Sequence, residues 1–154
     1  MSYKDFRPRL KGDKKIAYDN LTKNERRILV VGDLHAPFEL DGYLDFCQET
    51  YAKYLCNQVI FIGDIIDNHY SSYHETSSDA LGGADELDYA IQTVSHWNRA
   101  FPVADVIIGN HDRMVMRKAQ TSAIPTMWIK SYNEVLGTKW NWVERIVYDN
   151  VQYI

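Results

Sequence analysis

The chain has 154 residues, 45% of them hydrophobic and 13% aromatic, which suffices for one buried core and excludes a disordered chain. No apolar run approaches the roughly 18–20 residues of a membrane span, and the polar, basic start MSYKDFRPRLKGDKK has no secretory character, so a soluble cytoplasmic protein without membrane contact is expected. The net charge of −4 is uneven: residues 1–27 hold nine of the 17 Lys/Arg and four of the 21 Asp/Glu, so a basic N-terminal arm precedes an acidic body over 28–154 that argues against a broad phosphate-binding face.

The plainer role for the arm is solvation, with nucleic-acid contact as the alternative. Acidity in the body is also what metal-binding carboxylates would contribute, because bound cations are absent from the count. Cys47 and Cys56 have no metal-type spacing and read as buried or half-buried thiols.

In chain order, ILVVG (28–32) is a short apolar, β-branched run of the kind buried on both faces of a parallel sheet. Leu40, Tyr43, Leu44, Cys47, Tyr51, Tyr54 and Leu55 then recur at helical spacing. QVIFIG (58–63) is a second strand, and Leu87, Ala90, Ile91, Val94, Trp97 and Phe101 mark a second amphipathic helix, its start rich in acids as the helix dipole favours. DVIIG (105–109) is a third strand. The alternation predicts an α/β fold with a parallel βαβαβ core. Beyond it, RMVMRKAQ and PTMWIKSYNEVLG read as helices, the second with Pro125 near its start and Gly137 just past its end, and WNWVERIVYDNVQYI as one or two late strands.

The three strands end alike, in GDLH (32–35), GDIID (63–67) and GNHD (109–112). Ligands of open α/β sheets bind at the carboxyl ends of the strands, so Asp33, His35, Asp64, Asp67, Asn110 and His111 are expected to converge. One aspartate after a strand is commonly a helix N-cap, and one histidine commonly a satisfied polar side chain. Three matched strand ends gather donors that would repel one another without cations, which makes a divalent metal site the economical explanation.

Those three blocks, in that order, resemble the calcineurin-like metallophosphoesterases, over about residues 28–112; the spacing with NHYSSYH and GADELDYAI looks like members encoded in phages and prophages. The resemblance implies two divalent metal ions, manganese first and iron, zinc or nickel as alternatives, with Asp33 and His35 on one, Asp64 bridging and Asn110 on the other. His111 would stand beside the leaving group, with Asp67 orienting it through a carboxylate–imidazole bond. A metal-activated hydroxide would then hydrolyse a phosphomonoester or phosphodiester. Asp112 reads as local structure.

The chain departs from the family pattern twice. Many members carry Arg after the second aspartate to clamp phosphate, where this chain has Asn68, so His69, His74 and Arg113 are the candidate substrate contacts. The family also adds a later His and a Gly-His-x-His block, whereas the last of the five histidines here is His111. The expectations are therefore a fragment of a longer enzyme, a natural truncation or half of a site completed by another chain, with the second half of the fold incomplete and one ion bound in place of two. A non-catalytic metal-binding or partner-binding domain is the alternative function. Phosphate esters are the expected substrates, nucleic acid among them, and the sequence sets no oligomeric state.

Overall fold

The computed structural model describes residues 11–12, 25–72 and 80–154. Most of the basic arm, and His74, lie outside the described residues. Four strands, β1 (Ile28–Val31), β2 (Gln58–Phe61), β3 (Asp105–Ile107) and β4 (Asn141–Val143), form one parallel sheet in that order. The register aligns Val31 with Phe61, Phe61 with Val106 and Val106 with Trp142, so the strands stop almost level at one carboxyl edge.

Helices α1 (Tyr43–Lys53), α2 (Gly83–Ala100), α3 (Met114–Thr121) and α4 (Tyr132–Leu136) connect and follow the strands. Alternate strand residues Leu29, Val31, Val59, Phe61 and Val106 meet Cys47 of α1, Val94 and Trp97 of α2 and Leu136 of α4 in one core cluster, as the two-residue period of a strand against the helical period requires. Phe61 is the hub, its ring centroid 5.8 Å from that of Trp97 and 4.8 Å from that of Trp140. On the opposite face Asp105 accepts hydrogen bonds from Gln58, Asn141 and Tyr148, at 2.8–2.9 Å. Tyr148 comes from a hairpin, β5 (Ile146–Tyr148) and β6 (Val151–Tyr153), whose turn residues Asp149 and Asn150 have φ of 51° and 65°. Those angles match the twist of a two-residue hairpin turn.

Several boundaries differ from the sequence reading for local reasons. Leu40, Tyr54 and Leu55 fall outside α1, which is bounded by left-handed residues at Gly42 (φ 77°) and Leu55 (φ 54°). The helix predicted over PTMWIKSYNEVLG is a 3₁₀ turn, Thr126–Trp128, followed by α4. Ser131 and Glu134 form a reciprocal capping box that starts a new helix, and Gly137 at φ 66° ends it. WNWVERIVYDNVQYI gives three strands, since Asp149–Asn150 folds its second half on itself. Both cysteines are free; burial pushes the Cys47 thiol up to about 11 and also raises that of Cys56. Among the described residues no helix is long and apolar enough to cross a membrane.

Trp97 is fully buried in this core. Trp97→Ala is expected to lower unfolding free energy by about 3–5 kcal/mol, read from urea midpoints, whereas Val103→Ala, at a site 84% exposed, changes it by less than about 0.5 kcal/mol.

Candidate metal centre

The three motif loops continue beyond the strands as a laced unit. His35 N–H donates to Asp64 O (2.8 Å), Ala36 N–H to Ile65 O (2.9 Å) and Asp67 N–H to Ala36 O (3.0 Å), which binds the loop after β1 to the loop after β2. The loop after β3 is tied in by side chains. Asp112 accepts from Ile65 N (3.0 Å), Ile66 N (3.3 Å) and Gly109 N (2.9 Å), Asp64 Oδ1 accepts from His111 N (2.8 Å), and Asn68 Nδ2 donates to His111 O (2.9 Å).

The close approach explains the glycines. A Cβ on Gly63 would stand 2.9 Å from Gly109 Cα, and one on Gly109 would overlap the Asp64 carboxylate and main-chain nitrogen. Asp33, His35, Asp64 and Asn68 all have φ between 47° and 51°, a left-handed conformation that costs a non-glycine residue about 1–2 kcal/mol. Such strain tends to collect at functional sites.

Asp33, His35 and Asp64 bring one donor atom each to within 4.8 Å of one another, as do His35, Asp67 and His111. Asp67 Oδ1 lies 2.7 Å from His35 Nδ1 and 3.6 Å from His111 Nδ1, while His111 Nδ1 is 2.6 Å from the Asp67 carbonyl oxygen. The carboxylate bond anticipated for His111 thus goes to His35. His111 is held by the main chain of the same aspartate, because the turn at residue 68 aims the Asp67 carbonyl at it. A carbonyl oxygen only accepts, so His111 Nδ1 carries the hydrogen and Nε2 is the nitrogen free to exchange a proton. The same logic at the Asp67 carboxylate leaves the His35 Nε2 lone pair available.

The donor set suits a divalent cation. His35 Nε2 lies 4.0 Å from Asp64 Oδ2. The carboxylates of Asp33 and Asp64 beside the His35 imidazole offer the oxygen and nitrogen donors that divalent ions take. Asn110 is exposed in the turn between Gly109 and His111, at the same edge.

The candidate substrate contacts divide. His69 stands at the rim, its main-chain N–H donating to Glu86 Oε1 (2.7 Å). Arg113 is turned away: its guanidinium pairs with Glu144 and donates to Ile108 O (3.1 Å). Asn68, 3% exposed, also accepts from the Tyr70 hydroxyl (3.2 Å), so it is structural support for His111. The sequence reading missed Glu86, which looked like one more acid favouring a helix start but is 2% exposed and caps the turn carrying His69.

A family model for calcineurin-like phosphoesterases matches residues 26–151. No curated protein and no solved structure matches the chain.

Burial raises the Asp112 carboxyl from 3.8 to about 6 despite its three N–H donors. A carboxyl whose pKa is higher folded than unfolded contributes stability that is complete below about pH 4 and is lost as pH rises through about 6. In chelator-treated protein, the stability difference between wild type and Asp112→Asn is therefore expected to shift against the wild type across that interval, by about 1–3 kcal/mol in total, in urea titrations at pH 4, 5, 6 and 7.

Proposed function

The chain belongs to the calcineurin-like phosphoesterase family, and on that premise we propose that it hydrolyses a phosphate ester with divalent metal, manganese first, held by Asp33, His35, Asp64 and Asn110. The observation that carries the reading is the convergence of Asp33, His35 and Asp64 donors at one sheet edge. When bound, such ions polarise a phosphoryl oxygen and lower the pKa of a water.

The chain's own residues do the rest. Asp64 is fixed by accepting the His111 N–H through Oδ1, which leaves Oδ2 to the ion. Asp67 fixes the His35 tautomer that can ligate. His111, with its Nδ1 hydrogen committed to the Asp67 carbonyl, gives the Nε2 proton of its imidazolium form to the leaving oxygen and is left as the neutral Nδ1–H tautomer, a role worth about 10²–10⁴ in rate. His69 at the rim contacts the phosphate in place of the arginine found in many members.

The test uses manganese-supplemented protein and p-nitrophenyl phosphate. Asp64→Asn is expected to lose metal and turnover together, while His111→Ala keeps metal and loses about 10²-fold or more in kcat. Metal content by elemental analysis separates the two, and equal metal loss in both would make His111 a ligand. Wild-type protein that binds no metal and shows no turnover would leave the non-catalytic reading.

A further inference from the structure

Two of the donors that meet at the edge are oriented by a second group: Asp64 Oδ1 takes the His111 N–H, and His35 Nδ1 is held by the Asp67 carboxylate. For Asp33 the hold is on the main chain. The hydroxyl of Tyr43, the first residue of α1, donates to Gly32 O at 2.9 Å. Gly32 C=O and Asp33 N–H are the two sides of one planar peptide, so a bond that fixes the carbonyl also fixes the plane from which the φ of Asp33 is measured. That φ is 47°, a left-handed value that aspartate tolerates and that its neighbours must hold. The Tyr43 ring is itself seated on the core, its centroid 5.4 Å from that of the fully buried Trp97 with the planes at 67°. Burial raises the pKa of the hydroxyl, which therefore stays protonated and keeps its hydrogen on the carbonyl.

We infer that Tyr43 is a positioning residue of the metal centre: its hydroxyl, carried on the aromatic core, holds the Gly32–Asp33 peptide in the rotation that brings the Asp33 carboxylate to Asp64 and His35. Tyr43 acts through Asp33 and needs no contact with the ion or the substrate. Sequence periodicity marks it only as an apolar helix position, because its polar partner is a main-chain carbonyl. Removing the hydroxyl leaves the ring on Trp97 but releases the peptide, so Asp33 no longer waits in the ligating conformation. Groups that orient metal ligands in this way are worth about 10–100-fold in affinity. A purely structural role, anchoring the start of α1 to the end of β1, would lower stability and leave the ion affinity of folded protein unchanged. The inference rests on the reading of Asp33, His35 and Asp64 as metal ligands, and it is separable from hydrolysis because its effect is on ion binding.

The experiment titrates manganese into the chelator-treated full chain and counts free ion by electron paramagnetic resonance, on protein shown to be folded by near-ultraviolet circular dichroism. Tyr43→Phe is expected to weaken manganese binding about tenfold. Asp33→Asn weakens it as well, and the double variant is expected to bind no more weakly than Asp33→Asn alone, because the carboxylate that Tyr43 orients is gone. Val59→Ala, a core truncation near the start of β2 and away from the edge, is expected to lower the urea midpoint while keeping the wild-type affinity. Wild-type affinity in Tyr43→Phe, an equal loss in the presence and absence of the Asp33 carboxylate, or a loss matched by Val59→Ala would overturn the inference and leave Tyr43 as an anchor of α1. A wild-type chain that binds no manganese would overturn it together with the ligand assignment. Protein whose manganese affinity depends on Tyr43 but which cleaves no p-nitrophenyl phosphate keeps the inference and loses the hydrolytic reading; protein that cleaves the ester with an affinity independent of Tyr43 does the reverse.

Discussion

The Asp112 carboxylate is the constraint on which the geometry of the edge depends. Its oxygens accept one N–H from the loop after β3 and two from the loop after β2, so two strand ends that bring like charges together cannot drift apart. Burial disfavours a charge there, while three N–H donors favour it, and the upward shift says that burial is the larger effect. Ionisation of Asp112 is therefore held at some expense of stability, while the hydrogen bonds themselves oppose that expense. What the contact secures is position: Asp64, Asp67 and His111 are all within three residues of atoms that Asp112 binds.

Position is also secured by strain held against a rigid core. Left-handed backbone at Asp33, His35, Asp64 and Asn68 persists only where neighbours over-determine it. Below the edge, Phe61, Trp97 and Trp140 pack ring against ring, and above it the Gly63–Gly109 contact leaves no room for either loop to relax. The sheet, the aromatic cluster and the glycines thus act on the same few side chains.

Much of this was legible in the residues. Continuous apolar runs gave β1 to β3, although burial on both faces holds for β2 and β3 and not for β1, whose Val30 is 44% exposed, and level strand ends made three short motifs read as one site. The failures were of another kind. α4 and the 3₁₀ turn before it looked like one helix because periodicity does not register a capping box as a new start. Glu86 and Asn68 could not be assigned because their partners, His69 N–H and the His111 carbonyl, are main-chain groups. Main-chain partners leave no trace in side-chain patterns. The division of labour at Asp67 was hidden for the same reason, since its carboxylate serves His35 and its carbonyl serves His111.

That division also constrains the residue that follows Asp67. One residue orients both imidazoles, so the residue after it must adopt the turn that aims the carbonyl. Asn68 suits this position, because asparagine tolerates left-handed backbone and its amide fills a buried site between His111 O and the Tyr70 hydroxyl. A guanidinium there would have to leave that buried position to reach a phosphate, abandoning the bond that holds the His111 carbonyl. Arg113 is engaged by Glu144 at the far side of the edge. Among the described candidates, His69 is the one that lines a cavity with Asp67, and the same turn that presents it is capped by Glu86.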